Sequence, residues 1–186
     1  TKDTASPTIT GVSSTTADGS YGIGDVINLT VSFSEPVVVD TSGGTPTLQL
    51  ETGTIDRKAT FTSGSGTNTL TFQYTVQEGD TSADLDQLSS TALELNGGSI
   101  ADAAGNNAIL TLAAPGAAGS LSADAALVID GVAPTISVAI NNGGDGFLNA
   151  TEDPSVTISG STTGAENGQT VSINISSSGG GTPINT

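Results

Sequence analysis

From Val26 to Phe33 the chain reads VINLTVSF, with Ile27, Leu29, Val31 and Phe33 alternating with Asn28, Thr30 and Ser32. A period of two sends the first set to one face and the second to the other, which predicts a half-buried strand. Lys58–Thr62 (KATFT) and Leu70–Val76 (LTFQYTV) alternate in the same way, and SGSGTN lies between them. Its glycines permit the positive φ of a hairpin loop, so the two segments are expected to pair as neighbours. Shorter apolar runs at Thr8–Val12, Thr47–Leu50, Leu93–Leu95, Ile109–Leu112 and Ala126–Ile129 are separated by Gly, Ser, Asn and Asp turns. Together these make about seven strands, the count of a two-sheet β-sandwich. Only TSADLDQL, Thr81–Leu88, suggests helix, a single turn capped by Ser82 that crosses between the sheets.

The pattern then repeats. Asp3 and Asp130, Pro7 and Pro134, Thr8 and Thr135, and Ile9 and Ile136 are each 127 positions apart. Asp18-Gly19 recurs at the same offset as Asp145-Gly146, and Asp25 recurs as Glu152, so DGSYGIGD and DGFLNATE are one loop in two copies. The expected organisation is a linker from a preceding repeat (1–6), a complete sandwich (7–130), a linker (131–133) and the first part of a second sandwich (134–186). A period near 127 is long enough to bury its own core. The second copy, only 53 residues from Pro134, is expected to be incomplete, completed either by chain beyond it or by a neighbouring chain.

Composition removes whole classes of function. The 186 residues include 19 acidic and 3 basic side chains, a net charge of −16, and no Cys, His, Met or Trp. There is no thiol nucleophile, no imidazole base and no Cys/His zinc site. Three cations, Lys2, Arg57 and Lys58, do not neutralise a row of phosphates, so nucleic acid is excluded as a partner. No run approaches the roughly 20 apolar residues of a membrane-spanning helix, and no membrane insertion is expected. Catalysis by a carboxylate pair would need a sugar-binding cleft that a chain this poor in aromatics does not suggest. No catalytic residue is assigned.

Strand order indicates where the acids collect. If strands run up and down between two poles, the second strand ends at Phe33 and leaves Glu35 at the pole where Asp3 enters. The penultimate strand brings the loop ADAAGNNA, with Asp102 and Asn106, to the same place. Three carboxylates and an amide oxygen from separate loops repel one another unless a cation sits among them. Calcium, which accepts six to eight oxygen ligands in irregular geometry, suits such a set better than magnesium or zinc. The plainer alternative is an Asx turn at Asp102 and Asn106 beside a solvated Glu35. At the opposite pole Asp18 and Asp25 are expected near Asp130, or around an ion of their own, or in an ordinary turn with both acids facing solvent. Asp80, Asp84 and Asp86 lie in a connection near that pole and carry a weaker claim.

ADGSYGIGDVINLTVSFSEPV, SGSGTNTLTFQYTVQEGD, LNGGSIADAAGNNA, LVIDGVAPTI and VTISGSTTGAENGQTVSINI, in this order, resemble the calcium-dependent Ig-like repeats that build the stalks of giant secreted bacterial adhesins of the RTX kind. The resemblance covers nearly the whole chain and implies an all-β fold of tandem Ig-like β-sandwiches with calcium at the junctions. Carried over residue by residue, it implies that Asp3, Glu35, Asp102 and Asn106 serve the junction before the first repeat. Asp130 and Glu166 would serve the one after it. Glu166 stands 131 positions from Glu35, a drift of four from the period. Asp145 and Glu152 would repeat the roles of Asp18 and Asp25.

The function this implies is an extracellular, cell-surface spacer rigidified by calcium. Its partners are neighbouring repeats of the same chain, and a host or surface ligand is bound elsewhere in the parent protein. The alternatives are a carbohydrate- or protein-binding sandwich that uses DGSYGIGD and its Tyr21 as a sugar loop, and a subunit of an extracellular fibre.

Overall fold

The computed structural model describes residues 3–141, 157–165, 170–175 and 184–185. The chain divides into two units, Thr1–Ala133 and Pro134–Thr186. The first carries β1 (Ile9–Ser14), β2 (Gly19–Gly22), β3 (Val26–Asp40), β4 (Thr47–Glu51), β5 (Arg57–Ser63), β6 (Thr67–Thr75), β7 (Thr81–Ser82), β8 (Asp86–Gln87), β9 (Leu93–Glu94) and β10 (Ser99–Ala101). A single helical turn, α1 (Leu121–Asp124), and β11 (Leu127–Asp130) complete it. The larger sheet runs β1-β3-β6-β5-β4-β8, with β10 added to β3 and β9 to β4. A smaller sheet runs β2-β11-β7. The fold is all-β and sandwich-like.

The alternation read in VINLTVSF is matched by burial except at Thr30, which is buried with its apolar neighbours. Ile27, Leu29, Val31 and Phe33 are buried, and they meet Leu70, Phe72 and Tyr74 of β6, Leu48 and Leu50 of β4, and Leu127 and Ile129 from the smaller sheet. The predicted hairpin forms as β5–β6, antiparallel with Thr60 opposite Gln73 and Phe61 opposite Phe72, whose rings meet edge to face at 5.8 Å. A register shift between Phe61 and Ser63 marks a bulge beside its glycine loop.

Three expectations are corrected. Thr81–Leu88 is not a helical turn but the two short strands β7 and β8, because Asp86 and Gln87 point inward and bond the loop before α1. Ile109–Leu112 is not a strand. Its amides bond singly to two separate segments, Ile109 N to Pro7 O at 2.8 Å and Leu112 N to Ser90 O at 2.9 Å, so no ladder forms. Among the described residues the first unit has eleven strands rather than about seven: the strand expected at Leu93–Leu95 forms as β9, but β3 continues through SEPVVVD and recruits the short β10, while β2, β7 and β8 are brief pairings that alternation does not reveal.

Strand directions define two ends of this unit. Ile9 of β1 lies opposite Phe33 of β3, so the chain enters beside Ser34 and Glu35. Strand β11 runs parallel to β2, with Leu127 opposite Gly19 and Asp130 opposite Gly22, and therefore leaves at the other end, where β3 begins.

The second unit contains β12 (Thr135–Asn141) and β13 (Thr157–Thr163), antiparallel from Thr135 opposite Thr163 to Asn141 opposite Thr157. A second short pair joins β14 (Asn174–Ile175) to β15 (Ile184–Asn185). Ile136, Val138 and Ile140 follow the period-two pattern on β12 and stand exposed.

Candidate metal site

The site is assembled by three backbone segments at the end where the chain enters. The first, Asp3–Ile9, is pinned on both sides. Thr8 N donates to Ser34 Oγ at 3.0 Å and Ser34 N to Thr8 O at 2.8 Å, while Ile109 N donates to Pro7 O at 2.8 Å. The second is the middle of β3, where Glu35 follows the core residue Phe33. The third is the loop DAAGN, Asp102–Asn106, closed by Asp102 N to Asn106 O at 3.0 Å and Gly105 N to Asp102 O at 3.2 Å. Gly105 takes φ of +90° in this turn, a conformation that favours glycine.

These segments bring together one carboxylate oxygen each from Asp3, Glu35 and Asp102, all within 4.8 Å of one another. Asp102 is buried, Glu35 half-buried and Asp3 exposed. The Asp102 carboxylate is fixed by its own loop. Its Oδ1 accepts Ala104 N and Asn106 N, both at 2.8 Å, and its Oδ2 accepts Asn106 Nδ2 at 2.7 Å. The Asn106 side chain, followed by these backbone donors and against the effect of burial, holds the Asp102 carboxyl below the usual carboxylate range. Asp3 bonds its own segment, Ala5 N to Oδ1 at 3.0 Å. Glu35 behaves oppositely. Burial, then the charges of Asp3 and Asp102, push its carboxyl up, and no hydrogen-bond donor reaches it among the described residues.

The donor set is chemically one-sided: three carboxylates from three segments, one of them raised by burial and by its anionic neighbours. Oxygen-only, irregular and partly open to solvent, it fits a hard divalent ion of the calcium class. Asn106 stands in the turn at Asp102, as in the plainer alternative, rather than as an oxygen ligand. It directs its N–H groups at Asp102 and, at 3.3 Å, at the Asp3 carbonyl, bracing the two segments together. To serve as a ligand it would have to rotate its amide and present Oδ1.

The other sequence-predicted residues are dispersed. Asp25 and Asp130 lie at the same end of the β2–β11 ladder, where Asp25 Oδ2 accepts Gly22 N at 2.8 Å and Asp130 Oδ1 accepts Val132 N at 3.1 Å. Asp18 is at the opposite end of that ladder, accepting Ala126 N at 2.9 Å. Four residues of strand separate it from Asp130, roughly 13 Å at strand rise, so Asp18 does not join the same group. Among the described residues these acids form no cluster of three. Asp145, Glu152 and Glu166 lie outside the described residues. Tyr21, the candidate sugar platform, bonds Ala17 O through its hydroxyl and packs against the core.

Two polar centres carry more structure than sequence reasoning gave them. Asp80, 1% exposed, accepts Arg57 Nε at 2.7 Å, Tyr74 OH at 2.6 Å and Gln77 N at 2.9 Å. Burial pushes its carboxyl up, but the bonds from Tyr74, Arg57 and Gln77 outweigh it and leave Asp80 below the usual range. Burial and the bond to Asp80 push the Tyr74 hydroxyl up. Asp86 accepts Gly116 N, Leu121 N and Ser122 Oγ, while buried Gln87 spans Leu121 N and Ala113 O, so the pair holds the loop that leads into α1. The signal available in sequence for the first was scarcity: with three cations in the chain, an Arg at the start of a predicted strand invites a search for its acid.

Compared with family models, with curated proteins and with solved structures, the chain finds no match.

Proposed function

We propose that this chain is a structural spacer from a tandem-repeat cell-surface protein, stiffened by calcium held where the chain enters the first unit. The observation that carries the reading is the convergence of Asp3, Glu35 and Asp102 within 4.8 Å from three distant positions in sequence. Asp3 is also the residue whose repeat partner, 127 positions on, is Asp130, the last residue of β11 just before the linker. A cation shared by a linker acid, an acid of β3 and a loop acid ties the linker to the body of the unit that follows it. Repeated along an array, such ties convert hinged beads into a rod, which suits the stalk of an adhesin outside the cell. The sugar-binding alternative draws less support, since Tyr21 spends its hydroxyl and ring within its own unit.

Calorimetric titration with calcium, after exhaustive chelation and at constant ionic strength, tests the reading. Saturable heat with a matching rise in melting temperature is expected for the native chain, and both should be lost in the Asp3→Asn, Glu35→Gln double variant. Absence of heat and of any melting shift in the native chain would overturn it.

A further inference from the structure

One buried side chain stands outside every network described above. The Ser120 hydroxyl is fully buried and, among the described residues, has no hydrogen-bond partner, nor does it cap the helical turn that begins after it. A hydroxyl held without a partner away from water costs stability, so its retention calls for a role. The fully buried Gln87 lies beside it. Its carboxamide is fixed from both sides: Oε1 accepts Leu121 N at 3.0 Å, and Nε2 donates to Ala113 O at 3.1 Å. Asp86 Oδ1 accepts the same Leu121 N at 3.1 Å, which sets a buried carboxylate oxygen next to the amide oxygen. Ser120 and Leu121 share a peptide bond, so hydroxyl, carboxamide and carboxylate gather around one N–H group.

We infer that Ser120 and Gln87 are the two halves of an intramolecular ester crosslink. The groups have the roles an acyl transfer needs. Ser120 Oγ is the nucleophile and the Gln87 carboxamide the acyl donor. Leu121 N stabilises negative charge as it develops on Gln87 Oε1, and Asp86 is the base. Oγ forms a bond to Gln87 Cδ and the Cδ–Nε2 bond breaks. The hydroxyl proton passes through the Asp86 carboxylate to the departing nitrogen, which leaves as ammonia. The exchange consumes no oxidant and no second reactant. An amide is a poor electrophile in water, and fixed orientation in a buried setting is what lowers the barrier. The bond joins β8 to the loop before α1 in a molecule that has no cysteine for a disulfide. It does not depend on the calcium reading.

Intact-mass spectrometry of the full folded chain, incubated in chelator at neutral pH, tests the crosslink. The mass is expected to settle one ammonia below that of the sequence, and peptide mapping should recover the segments around Gln87 and Ser120 as one linked species. Ser120→Ala should keep its full sequence mass. It should also melt below the linked native chain by on the order of 10 °C, because its unfolded state is no longer held in a closed loop. Ser120→Thr keeps a hydroxyl at the same place and should still lose ammonia, which serves if Ser120→Ala fails to fold. A cyclised Asn96-Gly97 would also shed ammonia, but within one peptide and equally in Ser120→Ala. A full sequence mass in the folded native chain overturns the inference. So does a loss of ammonia that persists in Ser120→Ala without a linked peptide. The measurement is made in chelator, so its failure and the failure of the calcium titration are told apart.

Discussion

At the residue scale, Glu35 and Asp80 are buried or half-buried acids whose surroundings push them in opposite directions. The Glu35 carboxyl is raised by burial and by Asp3 and Asp102, so the folded state binds its proton more tightly than the unfolded chain does. Without a cation, its contribution therefore improves as pH falls from neutral toward the ordinary glutamate value of 4.5 and worsens as pH rises. Glu35→Gln should accordingly raise the melting temperature in chelator at neutral pH, with the gain shrinking as pH is lowered, and should reduce the shift produced by calcium. Melting curves across pH, with and without the ion, check both halves. Asp80 follows the opposite sign. Its folded carboxyl is lowered, so its stabilising contribution is present above the unfolded value and is lost as pH falls through the folded one. Asp80→Ala leaves Arg57 and Tyr74 without their acceptor in a buried setting, and a loss of about 3–5 kcal/mol is expected in denaturant unfolding.

At the element scale, legibility followed the reach of the interactions. Strands whose side chains alternate against the core were readable, because burial of Ile27, Leu29, Val31 and Phe33 imposes the period of two directly on sequence. The tripeptide Ser-Ala-Asp shows where local reading fails. It occurs at 82–84, where helix was expected, and at 122–124, where helix forms. The difference lies in a distant partner: Asp86 accepts Leu121 N and Ser122 Oγ, satisfying groups at the start of the second copy. The same Asp86 sits in the segment misread as helix, so one long-range contact made both errors. Asp86→Ala should unfasten residues 116–122, seen as faster amide exchange there, and cost at least about 2 kcal/mol through its lost charged hydrogen bonds. Truncating the core, as in Phe72→Ala, should cost about 3–5 kcal/mol without that local signature. The acidic cluster was legible only in part: alternating strand direction placed Asp3 and Glu35 at one end, but the strand expected to carry Asp102 there, Ile109–Leu112, does not form, and Asp102 arrives through β10 paired with the continuation of β3. The Arg57–Asp80–Tyr74 anchor depends on side chains meeting across β5, β6 and a turn, which no spacing encodes.

For the whole molecule, a net charge of −16 sets two separable electrostatic problems. Acids scattered over the surface repel at distances that salt screens, with a Debye length of about 8 Å near 0.15 M. The oxygens of Asp3, Glu35 and Asp102 lie within 4.8 Å of one another, inside that length, so simple salt leaves most of their repulsion in place. A bound divalent ion removes it at the source. Raising sodium chloride in chelator should therefore lift the melting temperature smoothly and by similar amounts in the native chain and in the Asp3→Asn, Glu35→Gln double variant. Calcium at constant ionic strength should separate them. A ligand at about 100 times its dissociation constant stabilises the folded state by ~2.7 kcal/mol, on the order of 10 °C for a unit of this size, and the double variant should show little of it. If calcium and an ionic-strength-matched monovalent salt lift both proteins equally, the cluster is only a locus of repulsion, and calcium's place in this chain is no different from that of any other counterion.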